Sequence, residues 1–236
     1  MDLALHAVFA LLGVILPAVL FATAKRRAAA SPSRWSEGLK IRMYYANGVL
    51  LLSLAALVLV VWYFSGRPFT ELGLGWGRTP YDPVAVGVLF AFLGLYGLDL
   101  YGEVGNPVRQ EDTRRKFREL GFLPVNGTEY LHFLFLCVAA GVGEEIVYRG
   151  FMITYLGELL GTGGPGVVLA VLLLPACSFG LAHYYQGRDA VIKIVAMALL
   201  FGYFYIRTGT LWPLILLHTA IDAVGGLLSW ALERRA

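Results

Sequence analysis

Gly143-Glu144-Glu145-Ile146-Val147-Tyr148-Arg149-Gly150 interrupts an otherwise apolar run, and its reading decides the fold. Three charged groups within six residues cannot face lipid, because each costs at least about 2.5–3.5 kcal/mol at membrane depth. They need a protein interior to turn into, and such a cluster is a functional-site hypothesis in itself. On a helix at about 100° per residue, Glu145 and Arg149 stack on one face as i and i+4, while Glu144 points about 100° away. Glu145 is read as the carboxylate held by Arg149, which leaves Glu144 free to act. The bland alternative is a buried ion pair that only fixes helix packing. Packing gains nothing, however, from a second buried carboxylate beside the first.

Outward from this stretch the chain has the composition of a membrane container. Of 236 residues 58% are hydrophobic and 15% charged, with a mean hydropathy of +0.68, far outside the range of soluble domains. A net charge of +3 is too small to suggest nucleic acid as a partner. Cys137 and Cys177 fall in apolar runs with no CxxC pair. They read as small buried hydrophobes, with neither a disulfide framework nor a thiolate nucleophile.

Seven apolar runs of roughly bilayer length follow one another: 3–24, 44–64, 84–100, 128–160, 166–182, 190–206 and 211–232. Ala22-Thr23-Ala24 resembles a signal-peptidase site, but its basic cluster follows the run, so a retained helix is expected. His6 is expected to be an interfacial residue of no special role, and Asp99, at the end of its run, to be solvated. The segment 66–83 is rich in Gly and Pro, with Trp76 and Tyr81 suited to an interfacial belt. QEDTRRKFREL at 110–120 mixes charge signs at helical spacing and predicts a solvated or surface-lying helix. The fourth run is too long for one untilted span, and its glycines at 141 and 143 permit a kink or a close helix approach. The expected fold is all-α, a polytopic transmembrane bundle of about seven helices around a polar intramembrane cavity. An eighth crossing or a re-entrant segment between 128 and 165 would alter the count. Residues 1–127 form three helices with basic loops, and 128–236 the catalytic helical core, within one continuous membrane domain.

Fifteen Lys and Arg residues fall on one side of this threading and three on the other. That bias predicts an outside N-terminus and a cytoplasmic C-terminus.

The ionisable residues embedded in the later apolar runs are Glu144, Glu145, Arg149, His183, His218 and Asp222, on three separate helices. Each is expensive against lipid, so the favourable arrangement turns all of them into one cavity. Singly, a membrane histidine is more often an interhelical hydrogen-bonder than a catalyst. Two carboxylates, two imidazoles and a guanidinium together make a hydrolytic constellation. Convergence requires a condition, since His183 threads near the cytoplasmic end of its run and His218 in the outer half of its own. Either the fifth helix continues past Tyr185, or the cavity is a deep funnel.

Glu144-Glu145-x-x-x-Arg149, Phe179-x-x-x-His183 and His218-x-x-x-Asp222, in that order, resemble the three-motif signature of a known family. It is the CAAX-protease and bacteriocin-processing family of glutamate-type intramembrane endopeptidases, which includes type II CAAX prenyl proteases. The resemblance covers roughly residues 129–228. It implies that Glu144 is a general base acting on water, helped by His183, a role that typically contributes about 10²–10⁴-fold. It implies that His218 and the residue at 222 stabilise an oxyanion, and that Glu145 with Arg149 holds the site or engages substrate. Tyr148 and Phe179 would line the substrate, a membrane-anchored protein or peptide, with no cofactor and no metal. Two positions depart from the pattern. Asp222 stands where Asn is usual, and an ionised aspartate cannot donate to an oxyanion; either it is protonated, or it orients His218 and the donor is His218 alone or a backbone amide. Tyr148 stands where Phe is frequent. The Ala-, Gly-, Val-, Leu- and Arg-rich composition suggests a bacterial inner membrane, where a prenylated substrate is less expected than another membrane-tethered peptide.

Other readings compete. His183, His218 and Glu144 or Asp222 could supply three ligands of a zinc peptidase, although HExxH is absent and Arg149 would oppose a cation. A proton-coupled carrier with a Glu144–His218 relay lacks inverted-repeat symmetry. A catalytically silent immunity factor or scaffold would not need intact motifs.

Overall fold

The computed structural model describes residues 2–29, 35–75, 82–161 and 164–234. Regular structure among them is entirely helical, and seven helices are long and apolar enough to cross a membrane. In chain order they are α1 (Leu3–Arg26), α2 (Glu37–Phe64), α3 (Pro83–Gly105), the connecting helix α4 (Pro107–Leu120), α5 (Gly127–Leu160), α6 (Pro165–Ala182), α7 (Arg188–Thr208) and α8 (Trp212–Arg234). No eighth crossing occurs among the described residues. Trp76 and Tyr81 lie outside them.

Helix ends are set by caps, and hydropathy does not report these. Ser36 accepts from the Leu39 amide, so α2 begins seven residues before its apolar run. Asp82 accepts from the Val84 and Ala85 amides, both at 2.9 Å, with Pro83 in the first turn of α3. Asn106 and Asn126 cap α4 and α5 in the same way. α4 is the polar helix expected from its charges; Arg114 and Arg118 tie it to Glu233 at the end of α8.

Two local expectations change. His6 is not idle, because its Nδ1 hydrogen-bonds the Tyr155 hydroxyl at 2.6 Å and ties α1 to α5. Asp99 is exposed, as expected, and pairs with Lys193 of α7. Cys137 is buried, but Cys177 is exposed, on a face of α6 that no neighbouring helix covers.

The bundle is organised on α5. Half of its apolar window is buried inside the protein, against 6% for α3. Close approach, the second of the two uses foreseen for the glycines, is what Gly141 serves. A Cβ there would stand 2.9 Å from the Ile215 carbonyl and 3.0 Å from the Thr219 amide, so α8 lies directly against the α5 backbone. From Glu145 to Ile153 the helix is a π-helix, every residue of it buried. Its i→i+5 bonding places an extra residue in each turn, a feature found mostly at functional sites.

α8 does not start at the surface. The Leu211 amide donates to the Gly73 carbonyl at 3.0 Å, and the Trp212 indole to the Gly75 carbonyl at 3.1 Å. The short turn Phe69–Leu72 thus sits over the entry to α8, and the Leu72 carbonyl and Leu211 side chain pack on Gly150, where a Cβ would stand 2.9 and 3.1 Å from them.

Candidate active site

Position along each helix explains why the polar groups converge. Glu144 lies sixteen residues from the Leu160 end of α5, and His183 follows α6 eighteen residues after Pro165. At 1.5 Å per residue both are about 24–27 Å from the same end of the bundle. α8 starts level with Gly150, six residues from Glu144, and His218 lies seven residues beyond Leu211. All three side chains therefore share one depth. Neither condition set by the sequence is needed: α6 stops at Ala182, the chain turns through Tyr184–Gln186, and His183 is the cap residue. His218 does lie in the first half of α8, and it still reaches Glu144 because α8 begins inside the protein, beside Gly150.

Two imidazoles flank Glu144. His183 Nε2 is 3.7 Å from Glu144 Oε1, and His218 Nε2 is 3.5 Å from Glu144 Oε2. Neither separation is a direct hydrogen bond. His183 donates from Nδ1 to the Phe179 carbonyl at 2.8 Å, one turn back on α6, which leaves its Nε2 toward Glu144. His218 donates from Nδ1 to Glu145 Oε1 at 2.7 Å. The same oxygen accepts from Arg149 Nη1 at 2.9 Å. Glu145 is thus shared between the guanidinium expected from its spacing and a histidine 73 residues away that spacing could not reveal. Asp222 Oδ2 stands 3.7 Å from His218 Nε2, too far to be the carboxylate that orients it.

Exposure falls steeply across the cluster. Asp222 is 36% exposed, His183 16% and Glu144 12%, whereas His218 is at 4%, Arg149 at 2% and Glu145 at 0%. The first three can meet water and a ligand; the last three form a sealed support. Glu145 Oε2 and Arg149 Nη2 are buried without a hydrogen-bond partner. Phe179 packs under Arg149, 4.9 Å from ring centre to guanidinium, and touches the rings of His183 and Tyr148. Tyr148 and Phe179, expected against substrate, are both buried here as the wall behind the site. Phe201 of α7 completes that wall against Arg149 and His218, and nothing in its sequence context marked it. Among the described residues no group of three or more His, Cys, Asp or Glu is arranged to hold a metal ion.

The fold and this cluster define a class first: an all-α polytopic membrane protein with a glutamate set between two histidines in its interior. Residues 126–224 match the Rce1-like family model, described as type II CAAX prenyl endopeptidase Rce1-like. That span contains all six of these ionisable residues and agrees with the resemblance read from the three motifs. No curated protein and no solved structure matches the chain.

Proposed function

We propose that the protein is an intramembrane endopeptidase in which Glu144 activates water to hydrolyse a peptide bond of a membrane-tethered substrate. The observation that carries this reading is the placement of Glu144, partly open and hydrogen-bonded to neither imidazole, beside a sealed Glu145–Arg149–His218 support.

In this mechanism a water donates one hydrogen to Glu144 and the other to His183 Nε2, so that an oxygen lone pair faces the scissile carbonyl. Glu144 takes the proton as the carbon–oxygen bond forms. His218, fixed by Glu145 on Nδ1, offers Nε2 to the oxyanion as a protonated donor. The carbon–nitrogen bond then breaks, and Glu144 passes its proton to the leaving amine. Asp222 lies at the open rim, where its charge faces His218 Nε2 and the entering chain. Residues 128–236 serve as the catalytic core and the first three spans as its support. Fifteen basic residues against three favour a cytoplasmic C-terminus, and His183 then opens toward the cytoplasmic half of the membrane. The composition favours a bacterial inner membrane.

Comparison of protein C-termini in cells making the parent chain or Glu144→Gln tests the assignment. New C-termini of membrane-tethered proteins should be present with the parent and absent with the variant. Identical sets from two equally abundant proteins would overturn it.

A further inference from the structure

A second polar cavity, of about 310 Å³, lies outside the catalytic cluster, between the start of α2, the end of α4 and the end of α8. Ser229, in its wall, is seven residues past Asp222 on α8 and so about 10 Å further along the helix. Trp35 and Phe117 give it an aromatic side, and Lys40, Arg118 and Glu233 give it charge.

Among the described residues those charges leave donors over. Lys40, with only 4% of its side chain exposed, gives one hydrogen to the Leu123 carbonyl and one to Glu129 Oε2, both at 2.9 Å. An ammonium has three. Arg118 binds Glu233 from Nε and Nη2 at 2.7 and 2.9 Å, so the Nη1 edge of its guanidinium points away from that carboxylate. Arg114 also reaches Glu233, which is therefore already neutralised. Arg114 pairs with Glu111 as well, so among the described residues these ion pairs balance, and what the cavity offers is the unused donors of Lys40 and Arg118. The cavity lies at the end of the bundle where the basic loops gather, and basic pockets between helices on that side accept lipid headgroups. Its volume is near the lower end for ligand cavities, about 300 Å³, with room for a phosphate and its glycerol.

We propose that this cavity binds a phosphate group, with Lys40 and Arg118 as its charged donors and the Trp35–Phe117 side against the glycerol stem. A phospholipid headgroup and a soluble phosphate ester share that chemistry, and the test separates them. The full chain, purified and stripped of lipid in a neutral detergent, is titrated with phosphatidylglycerol, with glycerol phosphate, or with inorganic phosphate, and its melting temperature is followed. A saturable rise with the lipid alone assigns a headgroup site; the same rise with glycerol phosphate or inorganic phosphate assigns a soluble ester. In either case Arg118→Gln, at a half-exposed position whose loss does not threaten the fold, should weaken the response at least about tenfold, as expected for a lost charge-assisted hydrogen bond. Lys40→Met combined with Glu129→Met removes the second donor without stranding a buried charge and should weaken it similarly. No rise with any of the three compounds, or an unchanged titration in Arg118→Gln, overturns the proposal.

Discussion

Two buried acid–base pairs sit on α5, Lys40–Glu129 near its start and Glu145–Arg149 near its middle, and the four side chains are all 4% exposed or less. At the first, Glu129 Oε2 accepts from both Lys40 and the Val125 amide, and the neighbouring Tyr44 hydroxyl closes onto the Phe122 carbonyl. At the second, one carboxylate oxygen serves Arg149 and His218 together while the other oxygen and Arg149 Nη2 have no partner. A third charge, Glu144, stands beside it. The Lys40–Glu129 pair, which joins α2 to α5, satisfies its carboxylate locally. A pair that holds an imidazole in place leaves bonding capacity unused, and native proteins keep few such groups.

The contrast can be broken most directly at Arg149. Arg149→Met should destabilise the protein by about 3–5 kcal/mol, because Glu145 is left as an uncompensated buried charge. Glu145→Met added to it should restore stability only in part and abolish peptidase activity, since His218 loses its anchor. Denaturant titration beside a turnover assay reads both effects. Full recovery of activity in the double variant would show that the central pair serves packing alone.

Lys40→Met should cost a similar amount, about 3–5 kcal/mol, but here Glu129→Met should bring stability back to within about 1–2 kcal/mol of the parent. Replacing both partners of a buried pair by apolar groups is often neutral, and no third residue depends on the Lys40–Glu129 carboxylate for catalysis. A double variant as unstable as the single one would erase the distinction between the two sites.

Gly141→Ala is a smaller perturbation. The added methyl has no room between α5 and the Ile215 carbonyl, so α8 must shift, at about 1–3 kcal/mol. Because α8 carries His218, turnover should fall by more than the melting temperature suggests. Equal, minor losses in both would mean that the helix–helix spacing is not tuned for the site.

The smallest effect concerns the pair of Asp82 with the half-exposed Arg207, a reference for the fully buried ones. The Ala85 amide, together with the Arg207 guanidinium and the Val84 amide, holds the Asp82 carboxyl below its usual range. A carboxylate with a lowered folded value stabilises above its unfolded value, about 3.9, and the contribution fades as pH falls through the folded one. Melting temperatures between pH 5 and pH 3 should drop less in Asp82→Asn than in the parent. Identical slopes would remove Asp82 from the account.

Much of this arrangement was legible in the sequence because lipid is a strict solvent. Seven apolar runs gave the spans, and the misplaced charges at Glu144, Glu145, Arg149, His183, His218 and Asp222 marked one cavity. Contacts between distant residues were not legible. Lys40 and Glu129 are 89 residues apart, Glu145 and His218 are 73 apart, and each looks in isolation like a helix-end charge or a lone histidine. The depth at which α8 begins was not legible for a similar reason, since the turn that covers its start belongs to the α2–α3 connection.

The central claim, that Glu144 acts on water while Glu145 and Arg149 support the site, is tested most directly by turnover of the reconstituted protein. A membrane-tethered reporter peptide is supplied to the parent and to Glu144→Gln, with melting temperatures measured in parallel. Glu144 makes no direct hydrogen bond to either imidazole, so the variant should melt with the parent and lose about 10²–10⁴-fold in turnover. Cleavage by Glu144→Gln within a few-fold of the parent would contradict the account.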